Sequence, residues 1–215
     1  MSNRARKQPP PFRARKDVTE TLRESQNRIY SKRTEEETLD GYRKSVFIDV
    51  VRLLREAKAG FDSVLDIGCG TGVFLRKLRE EFPFHDGVGI DISDVQIGKA
   101  DMAENPPGIV FERCDFAEFR PLHEFDLVSL WSFCLHVPPR RAALLSGLVR
   151  DWAGRYILLA NPTWEGNLPH NPKDPQWKHD NRAFVGRGWD LVGEAEIDLN
   201  HAPRARMEVL LWRKA

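Results

Sequence analysis

The chain is poor in cysteine. Cys69, Cys114 and Cys134 are the three in 215 residues, an odd and widely spaced set without a Cys-x-x-Cys pair. That excludes a disulfide framework and the usual spacing of a zinc site. No apolar run approaches the 18 or so residues that a membrane-spanning helix needs. The opening Met-Ser-Asn-Arg-Ala-Arg-Lys has no apolar signal core, so the cytoplasm is the expected compartment. Excess charge of one sign is also missing: the net charge is +1, which supplies no overall field for nucleic acid or an anionic membrane.

What remains is ordinary globular material, 41% hydrophobic and 30% charged, of a length that suits one domain. Residues 1–16 stand apart. They hold Arg4, Arg6, Lys7, Arg13, Arg15 and Lys16, no acids, and Pro9-Pro10-Pro11. Such a segment buries no apolar surface and is expected to be disordered. It reads first as a solubilising tail; a nucleic-acid backbone is the weaker alternative as its partner.

From residue 17 on, a single domain is expected. Its parts are a helical cap over 17–60, a core over 61–160, an acceptor loop and helix over 161–186, and a closing antiparallel pair over 187–215. Thr34 and Glu37 have capping-box spacing, and Leu39, Tyr42, Val46, Val50, Leu53 and Leu54 follow at helical spacing up to Gly60. Short apolar runs then alternate with amphipathic stretches. Strands are predicted at 63–67, 87–90, 109–114, 125–131 and 156–160. Helices are predicted over 73–82, 93–103 and from Pro138-Pro139 to Trp152. That alternation implies an α/β fold with a parallel sheet covered on both faces. Residues 161–176 read as a long loop and 177–185 as a short helix. Residues 189–199 and 207–213 read as two strands joined by a turn.

The most informative stretch is Val64-Leu65-Asp66-Ile67-Gly68-Cys69-Gly70-Thr71-Gly72, where the first strand turns into a helix. Glycine at alternate positions lets the backbone turn tightly and leaves no Cβ between it and a ligand. A dinucleotide fingerprint needs glycine at position 73, which is Val73, and no Gly-Lys-Ser/Thr is present for a P-loop. Asp91 closes the second strand, where a carboxylate can accept from both hydroxyls of a ribose. Asp115 ends the third strand and can accept from an adenine amino group.

On these residues the chain, from about 35 onward, resembles the class I S-adenosylmethionine-dependent methyltransferases. The resemblance implies a Rossmann-like sheet of seven strands, mostly parallel with the last antiparallel. It also implies S-adenosylmethionine as cofactor, with S-adenosylhomocysteine as product. Asp66, Gly68, Gly70 and Gly72 then cradle the methionine part, Asp91 the ribose and Asp115 the adenine edge, with Cys69, Ile92, Phe116 and Trp131 beside them as cofactor contacts. The cofactor has a cationic sulfonium and no phosphate, so carboxylates and open backbone suit it better than an Arg or Lys clamp.

The acceptor side belongs at the ends of the fourth and fifth strands. His136, in Trp131-Ser132-Phe133-Cys134-Leu135-His136, is the candidate base, because imidazole titrates near neutral pH; its alternative role is a backbone or cofactor contact. Asn161 and Trp164 are expected to line the acceptor pocket. Asn161-Pro162-Thr163-Trp164 is similar to the Asn-Pro-Pro-aromatic box of enzymes that methylate nucleic-acid bases. It follows the fifth strand instead of the fourth, however, and has threonine at the third place. Tyr30 and Tyr42 either close the other side or pack. No metal is expected, since Ser132 and Asn161 stand where a divalent cation would need carboxylates. No Pro-Cys nucleophile precedes or includes Cys134, and His170 and His179 have no third ligand nearby. The expected activity is methyl transfer to oxygen or nitrogen of a small-molecule acceptor. The alternatives are a macromolecular acceptor held by the basic tail, and a regulator that binds cofactor without turnover.

Overall fold

The computed structural model describes residues 18–31, 42–165, 176–199 and 205–215. The basic tail, the capping box at Thr34 and residues 166–175 of the expected acceptor loop lie outside them. Seven strands form one sheet in the order β3-β2-β1-β4-β5-β7-β6. They are β1 Ser63–Ile67, β2 Asp86–Asp91, β3 Ile109–Arg113, β4 Phe125–Trp131, β5 Ala153–Trp164, β6 Trp189–Asp198 and β7 Ala205–Lys214. β1 to β5 pair in parallel, and β7 runs antiparallel between β5 and β6. This is the seven-stranded Rossmann-like sheet expected from the sequence.

The described helices are α1 Val18–Tyr30, α2 Tyr42–Glu56, α3 Val73–Glu81, α4 Asp94–Met102 and α5 Pro139–Trp152. Three of them start for a clear local reason. Gly72, in the left-handed region, turns the chain into α3. The Ser93 hydroxyl accepts from Gln96 N at the start of α4. Pro139 opens α5 where its missing N–H costs nothing. No described helix is long and apolar enough to cross a membrane.

Alternating residues of the strands feed two cores. Val64, Leu127, Leu158, Val209 and Leu211 meet α2 and α3 through Val50, Leu54, Leu75 and Leu78. Leu65, Val128, Ile157, Leu159 and Leu210 meet α5 through Leu145, Val149 and Trp152. Because β1 has β2 on one side and β4 on the other, chain direction across the sheet reverses there. The crevice outside the carboxyl ends of β1 and β4 is the place such sheets keep for a ligand.

Two expectations are corrected. Asn161 to Trp164 belong to β5 and not to a loop: β5 pairs with β7 as far as Trp164↔Ala205. β4 stops pairing at Ala160, so Pro162 sits where its missing N–H faces no neighbouring strand. Residues 177–185 form no helix: 177–180 have no regular structure and 181–183 make a turn. Local side-chain bonds hold the backbone there, as where Ala183 N donates to Asp180 Oδ1 at 3.0 Å, and such bonds compete with helical ones.

Candidate functional site

One cavity opens at the carboxyl ends of β1 to β4. The β1–α3 turn supplies its floor. Gly68, Gly70 and Gly72 all have positive φ, at 76°, 57° and 76°. At Gly68 a Cβ would fall 2.3 Å from Phe133 Cδ2, so the turn requires glycine for space as well as conformation. Gly68 N and Cys69 N both donate to the Ile90 carbonyl, tying the turn to the end of β2.

Asp91 holds the turn from the other side. Its Oδ2 accepts from Gly70 N at 3.0 Å and its Oδ1 from Ser93 N at 2.8 Å. Asp66, 1% exposed, accepts from the Ser129 hydroxyl at 2.7 Å. Burial pushes both carboxyls up, Asp66 to about 7 and Asp91 to about 6, against the hydrogen bonds that pull them down. The Cys69 thiol is likewise pushed up by burial and by the two neighbouring acids, so it is an inert wall.

Asp115 is anchored by Ala117 N at 2.9 Å and by Arg141 Nη2 at 2.5 Å, and the Arg141 guanidinium lies 4.4 Å from the centre of the Phe116 ring. Arg141 is the one Arg or Lys among the described lining residues, and it is committed to an acid. The cavity therefore offers carboxylates and open backbone and no phosphate clamp. Two hydroxyls on its wall, Thr71 Oγ1 and Ser132 Oγ, are buried without a hydrogen-bond partner among the described residues. Ser132 is also held at φ 51°, a strained region for a residue with a Cβ.

The acceptor side is aromatic. Trp131 lies 5.1 Å from Phe74 and 6.4 Å from Phe47, the latter nearly parallel. His136 ends a short 3-10 turn, Cys134–His136, and its Nδ1 is 3.4 Å from the Gln26 amide nitrogen of α1. Asn27, next along α1, accepts from Ser93 Oγ at 2.6 Å and so seats α1 on the start of α4.

Of the residues expected from the sequence, Asp66, Gly68, Cys69, Gly70, Asp91, Ile92, Asp115, Phe116, Trp131 and His136 all line this cavity. Gly72 lies just behind it as the cap of α3. Asn161 and Trp164 are not among the lining residues: Asn161 is buried on the α5 side and Trp164 packs into the α2–α3 core. The side chains of Tyr30 and Tyr42 lie outside the described residues. Leu22, Gln26, Phe47, Gln96 and Arg141 also line the cavity, and sequence reasoning misses them. Each comes from a helix, where spacing signals only an amphipathic face. Among the described residues no group of three or more His, Cys, Asp or Glu is placed to hold a metal ion.

Asp66 gives a pH signature. Its carboxyl is raised in the folded chain, so the stability it contributes is full below about pH 4 and is lost as pH rises to about 7. Asp66→Asn removes that loss. Thermal denaturation without cofactor should show the variant gaining on the wild type between pH 4 and 7. The gap should then stay constant, at roughly 4 kcal/mol or less for a shift of this size. Parallel curves across that range would place the Asp66 charge in water.

Residues 39–162 match the family model of a methyltransferase domain. Among curated proteins the chain is similar to trans-aconitate 2-methyltransferase of Escherichia coli O1:K1, 26% identical over 163 residues. The match covers 68% of this chain and 62% of that protein, less than two thirds of its length. Among solved structures it is similar to N-methyltransferase NodS from Bradyrhizobium japonicum in complex with S-adenosylhomocysteine. There the TM-score is 0.74 at 14% identity, over 90% of this chain and 98% of that one. It is also similar to magnesium protoporphyrin IX methyltransferase from Synechocystis with bound S-adenosylmethionine. There the TM-score is 0.69 at 20% identity, over 94% and 99% of the two chains. At those identities the two structures speak to the fold.

Proposed function

The chain belongs to the class I S-adenosylmethionine-dependent methyltransferases, and from that premise we propose that it transfers a methyl group to an oxygen or nitrogen of a small-molecule acceptor. The observation that carries this reading is the meeting, in one cavity, of the glycine turn, Asp91 and Asp115 with His136 and an aromatic wall. The cavity fits the cofactor on its own chemistry. Acids without a phosphate clamp suit a cation. Asp91 would hold the ribose, Asp115 and Phe116 the adenine, and residues 68–72 the amino-acid tail. When bound, the cofactor supplies an electrophilic methyl group on a sulfonium.

The chain's own work is alignment, exclusion of water and management of one proton. Leu22, Phe47, Phe74 and Trp131 wall the site with apolar surface, which favours a planar, weakly polar acceptor. His136 takes the proton that an acceptor hydroxyl or ammonium must lose. Its Nδ1 neighbours the Gln26 amide, which helps to set which ring nitrogen carries the proton.

The test is transfer of labelled methyl from S-adenosylmethionine to a panel of phenols, aromatic amines and carboxylic acids, trans-aconitate included. Turnover is expected on a hydroxyl or amine, at the same rate with a metal chelator present. Restoration of a lost rate by magnesium would contradict the acid-free rim at Ser132. Tight cofactor binding with no turnover on any acceptor would favour a regulator.

A further inference from the structure

β5 carries a polar residue where its face is otherwise apolar. Ile157, Leu159 and Asn161 alternate onto the α5 side of the sheet, and Asn161 is 1% exposed. Asn181 is 2% and Glu208 7% exposed. Two amides and a carboxylate buried together are costly unless each is paired. Here each is paired with the next, and the series ends on the turn that carries His136.

Leu135 N donates to Asn161 Oδ1 at 3.2 Å. Asn161 Nδ2 donates to Asn181 Oδ1 at 2.9 Å. Asn181 Nδ2 donates to Glu208 Oε2 at 3.0 Å. Glu208 sits directly across β7 from Asn161 in the antiparallel register, and its other oxygen pairs with Arg182 Nε at 3.0 Å. The direction of every bond follows from the last member. Glu208, paired with Arg182, accepts from Asn181, which turns its NH₂ toward Glu208 and its oxygen toward Asn161. Asn161 must then turn its own oxygen toward Leu135. The same turn is gripped twice more: Trp177 N donates to the Leu135 carbonyl at 2.8 Å, and His179 Nε2 stands 2.9 Å from the Val137 carbonyl.

We infer that Asn161, Asn181 and Glu208 are positioning residues that fix the Cys134–His136 turn and with it the place of the His136 ring. They act through the backbone of Leu135 and not on the acceptor. The inference rests on the proposed role of His136 for its effect on rate, but not for its effect on the ring itself.

Both effects are measurable in the full chain. Asn161→Ala removes the contact with Leu135. Glu208→Leu removes the far acceptor, and Glu208→Gln restores an acceptor oxygen. With S-adenosylhomocysteine bound and histidines isotope-labelled, the His136 ring signals, assigned by their loss in His136→Ala, should shift and broaden in Asn161→Ala and Glu208→Leu. They should return towards wild type in Glu208→Gln. The kcat for methyl transfer should fall roughly 10- to 100-fold in the first two variants, the cost of a misplaced group, with unchanged KM for S-adenosylmethionine. Shifted ring signals with no turnover even in the wild type would sustain the positioning and sink the proposed activity. Unmoved ring signals in the folded variants would overturn the positioning. Loss of a cooperative melt in both disrupting variants would assign the series to stability and overturn it equally.

Discussion

His136→Ala should slow methyl transfer by roughly 10²–10⁴, the usual worth of a positioned base, while leaving affinity for S-adenosylhomocysteine nearly unchanged. The split follows from where the residue stands. His136 closes the 3-10 turn after β4 and faces the cavity from the aromatic side, whereas the glycine turn and Asp91 come from β1 and β2. Its ring neighbours the Gln26 amide of α1, a neutral group that truncation does not leave as a stranded charge. In the proposed mechanism the base is the neutral ring. The rate should therefore rise with pH as the ring loses its proton, and that acid limb should disappear in the variant. An acceptor amine already neutral at working pH needs no base, and the loss would then be small. A variant that unfolds, or that no longer binds the cofactor in calorimetry, would assign His136 to structure.

Asp91→Ala should weaken cofactor binding by roughly 2–4 kcal/mol, about 30- to 1000-fold, the cost of removing charged hydrogen bonds to two ribose hydroxyls. Asp91 is 8% exposed and bound to Gly70 N and Ser93 N, so it both faces the cavity and shapes the turn on its floor. Alanine removes both services. The milder substitution Asp91→Asn keeps one acceptor oxygen and should fall between wild type and alanine. Calorimetric titration with S-adenosylhomocysteine distinguishes these outcomes. Unchanged affinity in a folded Asp91→Ala variant would mean that the nucleoside lies elsewhere.

The floor of the cavity is legible in the sequence because it is written at element boundaries. Asp66, the three glycines, Asp91 and Asp115 each stand where an apolar run ends, and a parallel strand's end is a crevice position whatever packs above it. β1 and β4 are readable to the residue for a related reason: both are buried on two faces and read as nearly unbroken apolar runs. The walls from α1, α2 and α5 are not readable. Leu22, Gln26, Phe47 and Arg141 are helix-face residues whose reach over the cavity depends on how the helices dock. β5 misleads in the same way. Its apolar run stops at Ala160, and only pairing with the distant β7 carries it through Asn161 and Pro162 to Trp164. Asn161 therefore reads as a loop residue at the acceptor rim, when its side chain bonds to Leu135 and Asn181 and its strand partner is Glu208.

β7 also imposes an order on how the chain is completed. Every described residue lining the cavity falls between Leu22 and Arg141, yet the outer edge of β5 is closed by residues 205–213. During synthesis the cofactor-binding half emerges first, with β5 as an unpaired, strongly apolar edge that can template other chains. Asn161 waits in that interval for Asn181 and Glu208. Until β7 is in place, that edge of β5 stays open to mispairing.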